Sequence, residues 1–150
     1  MCGIAGIIAD EPSTDLITAV GAMAAAIAHR GPDDEGYWHD PDAGVALAHR
    51  RLAVVDLSAA GHQPMVSHCG RYVLVFNGEI YNHQELRREL DGLPDRPAWR
   101  GHSDSETFLA TISRRGLEAA LERSTGMFAF ALWDRRERTL RLVADRLGEK

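Results

Sequence analysis

Short apolar runs with the character of β-strands recur along this chain and alternate with a few helix-like segments, and this pattern restricts the fold more than any other feature. The strand candidates are residues 2–9, 36–39, 45–56, 71–76, 127–134 and 140–145. The charged turn at 135–139 is short enough to join its neighbours as an antiparallel hairpin. The pattern therefore predicts an α+β sandwich, in which antiparallel sheets carry helices on their outer faces.

Helices are predicted in four places. The first follows a cap at Ser13 or Thr14. Its apolar residues recur every three or four positions and so share one face: Leu16, Val20, Met23 and Ile27. A second covers residues 83–90, and a third begins at Ser103, where an S-x-x-E sequence is typical of a capping box. Residues 117–123 supply one or two further helical turns.

Composition excludes several classes of protein. Hydrophobic residues make up 45% and charged residues 26% of the 150 residues, the balance of a soluble domain with a single core. A net charge of −5 argues against a non-specific nucleic-acid binder. No apolar run approaches the roughly 18 residues that a membrane span needs, and no secretory signal is predicted. We expect a reduced, cytoplasmic protein without a disulfide between Cys2 and Cys69.

The second residue of the chain is a cysteine. Because a small residue follows the initiator methionine, Met1 can be removed, and Cys2 would then carry both a thiol and a free α-amine. Such an amine titrates close to neutrality and can serve as a base for the thiol. Cys2 also fits a simpler description, a small apolar residue at the start of a buried strand, and taken alone this description is favoured.

An Asn-Gly-Glu sequence follows the strand candidate 71–76. An Asn-Gly pair in this position is typical of a type I′ hairpin turn. Alternatively, the Asn77 side-chain amide and the Gly78 backbone N–H could donate to one developing negative charge, as an oxyanion hole does. Both interpretations stay open, because a turn leaves a backbone N–H free to bind something.

Several charged residues could bind a zwitterionic substrate such as an amino acid. Arg50 and Arg51 are neighbours on a strand and point to opposite faces, so only one of them can serve a given site. Glu79 and Asp104 are candidates for an ammonium group. Each also fits a structural role, Glu79 in a solvated turn and Asp104 in the first turn of a helix.

Metal and nucleotide sites are not predicted. The seven histidines show no H-x-x-x-H spacing, and the two cysteines form no C-x-x-C pair. No glycine-rich phosphate-binding loop is present either.

Eight segments, in order, resemble class II glutamine amidotransferases, and more narrowly the N-terminal domain of glutamine-dependent asparagine synthetases. They are MCGIAGI, HRGPDDEGYW, LAHRRLAVVDLS, GHQPM, FNGEIYNHQEL, HSDSETFL, GMFAFALWD and DRLGEK. The resemblance covers residues 1–150 and implies an N-terminal-nucleophile hydrolase fold, an αββα sandwich of two antiparallel sheets flanked by helices. It implies catalytic roles for Cys2 as nucleophile and for Asn77 and Gly78 as oxyanion hole. It implies binding of glutamine by Arg51, Glu79 and Asp104.

The resemblance also implies how the chain is organised. Residues 1–150 would be a glutaminase domain that lacks its C-terminal part and an ATP-dependent synthetase domain after it. The expected partners are L-glutamine, the covalently linked synthetase domain and, in a homodimer, a second copy. No cofactor is expected for the glutaminase domain, and ATP and Mg²⁺ are expected only in the synthetase domain. Two alternatives stay open: a glutaminase that serves a different ammonia acceptor, and a catalytically silent regulatory or structural domain.

Overall fold

Two antiparallel sheets stack face to face in this computed structural model, which describes residues 1–10, 15–54 and 58–150. Within those ranges the strands are β1 (Gly3–Ile8), β2 (Asp34–Asp40), β3 (Val45–Arg51), β4 (Met65–Val66), β5 (Tyr72–Ile80), β6 (Gly126–Asp134) and β7 (Thr139–Ala144). The α-helices are α1 (Leu16–Ala26), α2 (His83–Asp91), α3 (Asp104–Arg115) and α4 (Leu117–Arg123). The predicted α+β sandwich of two flanked antiparallel sheets is confirmed.

The first sheet has three strands in the order β1-β3-β2, so that β3 lies in the middle. Successive side chains of β3 point to opposite faces. Ala46 and Ala48 pack against α1, whereas Val45 and Leu47 point toward the second sheet. Because β3 is covered on both faces, its sequence is a continuous apolar run rather than an alternating one.

The second sheet has the order β4-β5-β6-β7. Its inner face carries Val73 and Val75 of β5, which meet the first sheet. Its outer face packs against α2, α3 and α4 through a cluster of four phenylalanines whose ring centroids lie between 5.3 and 6.2 Å apart: Phe76, Phe108, Phe128 and Phe130. Aromatic pairs at such distances stabilise a core beyond the area they bury.

The start of α3 confirms one half of the predicted capping box. The Ser103 hydroxyl accepts a hydrogen bond from the Glu106 N–H at 3.1 Å. The Glu106 carboxylate accepts the N–H groups of Arg100 and Gly101 instead of reaching back to Ser103. Glu106 therefore ties the segment before α3 to the helix, and this fixes the helix start where Asp104 lies.

Burial departs from the apolar patterns at two places. Met23 is 43% exposed, because α1 buries Leu16, Val20 and Ala24, which recur at a spacing of four. The strand predicted at residues 2–9 is present as β1, but it is an edge strand, and its Ile8 is 61% exposed. The predicted cap at Ser13 or Thr14 and the end of the strand candidate 45–56 lie outside the described residues.

The Asn-Gly pair does not form a turn. Strand β5 runs through Asn77 and Gly78 to Ile80 and stays paired with β6 along this stretch. A Cβ atom at position 78 would lie 2.2 Å from the Met127 carbonyl oxygen, so the close approach of β6 requires glycine there. No helix in the described part of the chain is long and apolar enough to cross a membrane.

Candidate active site

The gap between the two sheets opens at one end into a cavity of about 260 Å³. The start of β1, the end of β3, the end of β5 and the start of α3 converge there. All six residues that the sequence singles out line this cavity: Cys2, Arg51, Asn77, Gly78, Glu79 and Asp104. The structure thus brings together residues that lie far apart in the chain.

Pleating explains why polar side chains collect at this end. Odd-numbered residues of β5 point into the gap between the sheets, first Val73 and Val75 and then Asn77 and Glu79. On β3 the same face carries Val45 and Leu47, followed by His49 and Arg51. The facing strands are therefore apolar where the sheets pack and polar where the gap opens.

Cys2 lies beside the last residues of β3, because β1 pairs with β3 from Gly3 onward. The Leu52 N–H donates to the Cys2 sulfur at 3.4 Å, and the thiol lies 3.7 Å from the Leu52 carbonyl oxygen. The Arg30 Nε donates to the Cys2 carbonyl at 3.2 Å. Met1 precedes Cys2 and also lines the cavity. The thiol is thus held at the cavity wall by the backbone of Leu52, directly after the end of β3.

Arg51 is the arginine at the cavity, and Arg50 points away to an ion pair with Glu35. Arg51 is only 8% exposed, and its Nη1 donates to the Ser58 carbonyl at 3.0 Å. Its guanidinium lies against the backbone of Gly61, where a Cβ atom would come within 2.1 Å of Nη2. Gly61 thereby provides the space that this guanidinium occupies.

The Gly78 N–H lies on an open strand edge. Odd-numbered backbone groups of β5 bond to β6, and even-numbered ones point to the other side. Strand β4 covers that side only as far as Leu74. Beyond it, the N–H of Phe76 donates to a side chain, and so does that of Ile80. Gly78 lies between them, and within the described ranges its N–H has no protein acceptor. This N–H is available to a ligand in the cavity.

Asp104 is a buried carboxylate in the first turn of α3, 6% exposed. Its Oδ2 accepts the Ile80 N–H at 2.9 Å, and its Oδ1 accepts the Ser105 N–H at 2.8 Å. Burial raises the pKa of Asp104 above the ordinary carboxyl value, and the two amide hydrogen bonds offset that effect only in part. A cation bound beside Asp104 would favour its ionised form.

Sequence reasoning did not single out Gln63 and His49. Gln63 lines the cavity and accepts the Phe76 N–H at 2.7 Å, and His49 Nε2 donates to the Phe76 carbonyl at 3.0 Å. A signal for His49 existed, because it continues the inward-facing positions of β3. Gln63 lies in an irregular segment, where no periodicity indicates which way a side chain points.

No group of three or more His, Cys, Asp or Glu side chains that could hold a metal ion occurs within residues 1–10, 15–54 and 58–150. The polar groups at the cavity include a thiol, an arginine, carboxylates and amide donors, and Lys150, Ser103 and Ser105 also line it. This set suits an amino acid with a reactive carbonyl better than it suits a metal.

The family model described as "Glutamine amidotransferase domain" matches residues 1–150. The chain belongs to this family. It is 37% identical over its whole length to glutamine-hydrolysing asparagine synthetase 1 of Bacillus subtilis strain 168, of which it covers 23%. It is 38% identical over 99% of its length to glutamine-hydrolysing asparagine synthetase B of Escherichia coli K12, of which it covers 26%. The domain thus spans about a quarter of the length of these relatives and corresponds to their N-terminal part.

A solved structure supports the fold independently. Glutamine phosphoribosylpyrophosphate amidotransferase from B. subtilis superposes with a TM-score of 0.78 over 97% of this chain and 37% of its own, at 19% sequence identity. At that identity the similarity concerns the fold alone. The N-terminal-nucleophile hydrolase fold expected of this amidotransferase domain is confirmed.

Gly61→Ala tests whether Arg51 needs the space that Gly61 provides for its guanidinium. The added Cβ atom would displace the guanidinium, so we expect the KM for an amino-acid substrate to rise about 10-fold, since a charge-assisted hydrogen bond contributes roughly 1.5–3 kcal/mol. Steady-state kinetics on the complete protein measure this. Gly21→Ala in α1 is the matched control, because its Cβ would meet nothing closer than 3.9 Å. An unchanged KM in Gly61→Ala would contradict the role of Gly61.

Asp104→Asn tests the cost of burying the carboxylate. Because the folded-state pKa of Asp104 is raised, its contribution to wild-type stability falls as the pH rises from the ordinary carboxyl value through the folded-state value. The asparagine variant lacks this titration. The thermal midpoint of the variant minus that of wild type should therefore increase as the pH rises across the same window. Differential scanning fluorimetry at a series of pH values measures this. A difference that is constant, or that shifts the other way, would contradict the assignment.

Proposed function

We propose that this domain hydrolyses L-glutamine to glutamate and ammonia through a glutamyl thioester on Cys2. The observation that carries the proposal is the composition of one cavity: a thiol, a Gly78 backbone N–H that has no acceptor among the described residues, a buried arginine and two carboxylates. These are the groups that a zwitterionic amino acid with a side-chain carboxamide requires. Membership in the amidotransferase family supports the same reaction.

Substrate binding follows from the charges. The Arg51 guanidinium, buried and held by the Ser58 carbonyl, binds the α-carboxylate of glutamine. Glu79 and Asp104, on β5 and at the start of α3, bind the α-ammonium group. Fixing both charged groups on the α-carbon directs the side-chain carboxamide toward Cys2 and lowers the entropic cost of the attack.

The chemistry uses the thiol and the amine of one residue. After removal of Met1, the Cys2 sulfur attacks the carboxamide carbon while its α-amine accepts the thiol proton. The tetrahedral intermediate collapses as the amine gives the proton to the carboxamide nitrogen, the carbon–nitrogen bond breaks, and ammonia leaves. Water then attacks the thioester while the amine accepts its proton, and the proton returns to the sulfur as glutamate leaves.

The developing oxyanion is stabilised by the Asn77 side-chain amide and the Gly78 N–H. The Gly78 N–H is fixed because β5 is paired with β6 on its other edge. Removing one donor of this kind typically costs about 10² to 10³ in rate. The donors lie on a strand rather than on a mobile turn, so they need no reorganisation during the reaction.

The ammonia serves ATP-dependent synthesis of asparagine, or of a related amide, in a linked synthetase domain. Similarity to the N-terminal part of two glutamine-hydrolysing asparagine synthetases supports this assignment. The glutaminase step itself needs no cofactor, and ATP and Mg²⁺ belong to the synthetase step. A glutaminase that serves a different ammonia acceptor is the second candidate, because the cavity residues explain the binding of glutamine and do not distinguish between acceptors.

Cys2→Ala should abolish ammonia release when the complete protein is incubated with glutamine, because the thioester cannot form. Cys69→Ala is the matched control, since Cys69 is the other free cysteine and lies outside the cavity. Hydrolysis that survives in Cys2→Ala would overturn the mechanism.

Mass spectrometry of the active protein should show Met1 missing, and full activity with Met1 retained would show that the α-amine is not the base.

Incubation of the complete protein with glutamine, aspartate, ATP and Mg²⁺ should yield asparagine. Amide formed only on another carboxylate would select the second candidate. Glutamine hydrolysis with no amide product from any acceptor tried would contradict the linked synthesis. A complete protein that neither hydrolyses glutamine nor loses any function in Cys2→Ala would point to a silent domain.

A further inference from the structure

The open edge of β5 is fixed by side chains where no strand covers it. Strand β4 ends its pairing at Leu74, and two residues further on the Phe76 peptide groups meet two side chains instead of a backbone. The Gln63 Oε1 accepts the Phe76 N–H at 2.7 Å, and His49 Nε2 donates to the Phe76 carbonyl at 3.0 Å. Gln63 and His49 are both buried, at 6% and 1% exposed. Together they replace the two hydrogen bonds that a neighbouring strand would supply.

Gly78 is the next residue on this edge. Beyond it the edge is fixed again, because the Ile80 N–H donates to Asp104 at 2.9 Å. The Gly78 peptide is therefore held between two side-chain anchors, one at Phe76 and one at Ile80. Its own N–H is left facing the cavity. The two anchors thus hold this edge of β5 on both sides of that N–H, while β6 holds the other edge.

We propose that Gln63, together with His49, is a positioning residue that aims the Gly78 N–H at the oxyanion of the reaction. The proposal rests on the proposed function, in which Gly78 is an oxyanion donor. Gln63 touches no reacting atom in this scheme and acts through the strand. A buried N–H without an acceptor is costly, so the strand would tilt or admit water if Gln63 lost its carbonyl. A displacement of about 1 Å at a reacting group lowers the rate strongly.

The protonation state of His49 fits this role. Burial lowers the pKa of His49 to about 4, so the ring is uncharged near neutral pH. Because the Phe76 carbonyl can only accept, the proton of the neutral ring belongs on Nε2. Its Nδ1 has no hydrogen-bond partner in the described part of the chain. His49 is thus a neutral donor whose one bond goes to the strand.

Gln63→Met in the complete protein removes the acceptor at similar side-chain volume. We expect the kcat for glutamine hydrolysis to fall about 10-fold or more, and the KM to stay within about 2-fold, because Arg51, Glu79 and Asp104 are untouched. The inhibition constant of L-glutamic γ-semialdehyde, whose adduct with the thiol carries an oxygen in the oxyanion position, should rise by a similar factor. A merely structural role of Gln63 would not change kcat and the aldehyde inhibition constant while leaving the KM unchanged.

Ser67→Ala is the matched control. The Ser67 hydroxyl accepts the Tyr72 N–H at 2.9 Å, so it makes the same kind of bond on the same edge of β5, away from the cavity. We expect this variant to keep its kcat, its KM and its affinity for the aldehyde. An equal loss of kcat in Ser67→Ala and Gln63→Met would overturn the proposal, since it would reflect general damage to the strand.

His49→Phe, which removes the donor to the Phe76 carbonyl, is the second variant and decides the question should Gln63→Met fail to fold. A fall in kcat with unchanged KM supports the proposal. Wild-type kcat and aldehyde affinity in a folded Gln63→Met or His49→Phe protein overturn it. The proposed function is tested separately by wild type and Cys2→Ala, so its failure would show as absent hydrolysis in wild type.

Discussion

The pleat of two facing strands determines both the core and the site. Strands β3 and β5 face each other across the gap between the sheets, and alternate residues of each must fill that gap. Where the gap is closed these residues are valine and leucine, and where it opens they are His49, Arg51, Asn77 and Glu79. A slip of one residue in either register would send the polar set to the outer faces. The same hydrogen-bond ladders therefore fix the sandwich and the cavity.

An unpaired strand edge normally invites pairing with another chain, but in this fold such an edge borders the cavity. Beyond Leu74 the edge of β5 is not covered by β4, and an N–H on it that is buried away from water needs an acceptor. Side chains from three different segments meet that need at Phe76 and Ile80, from Gln63, His49 and Asp104. Within the described part of the chain, they leave the Gly78 N–H, which lies at the cavity, without an acceptor. The Gly78 N–H is thus available to a ligand because β4 does not extend along this part of β5.

Most of the fold, and the fact that six residues from separate parts of the chain line one cavity, could be predicted from the sequence, and the features that could not be predicted have a common cause. Runs of eight or more residues with clear periodicity, such as β6 and α3, lie where the pattern indicates. The Asn-Gly pair was ambiguous because local propensity favours a turn, whereas the close approach of β6 at Met127 favours glycine in a strand. Gln63 was missed because its contact to Phe76 depends on where β4 ends. Such facts belong to tertiary packing, and no local pattern carries them.

The electrostatics of Asp104 link binding to protonation. Burial raises the pKa of this carboxyl. The N–H groups of Ile80 and Ser105 stabilise its ionised form and offset only part of that effect. An α-ammonium group beside Asp104 would favour the ionised form, and by linkage the substrate would then lower that pKa and bind more tightly above it than below it. Arg51 at the cavity supplies the opposite charge for the carboxylate end. Under the proposed function, the cavity would favour a molecule with both charges over one that carries either alone, because only the zwitterion offsets the burial of both protein groups.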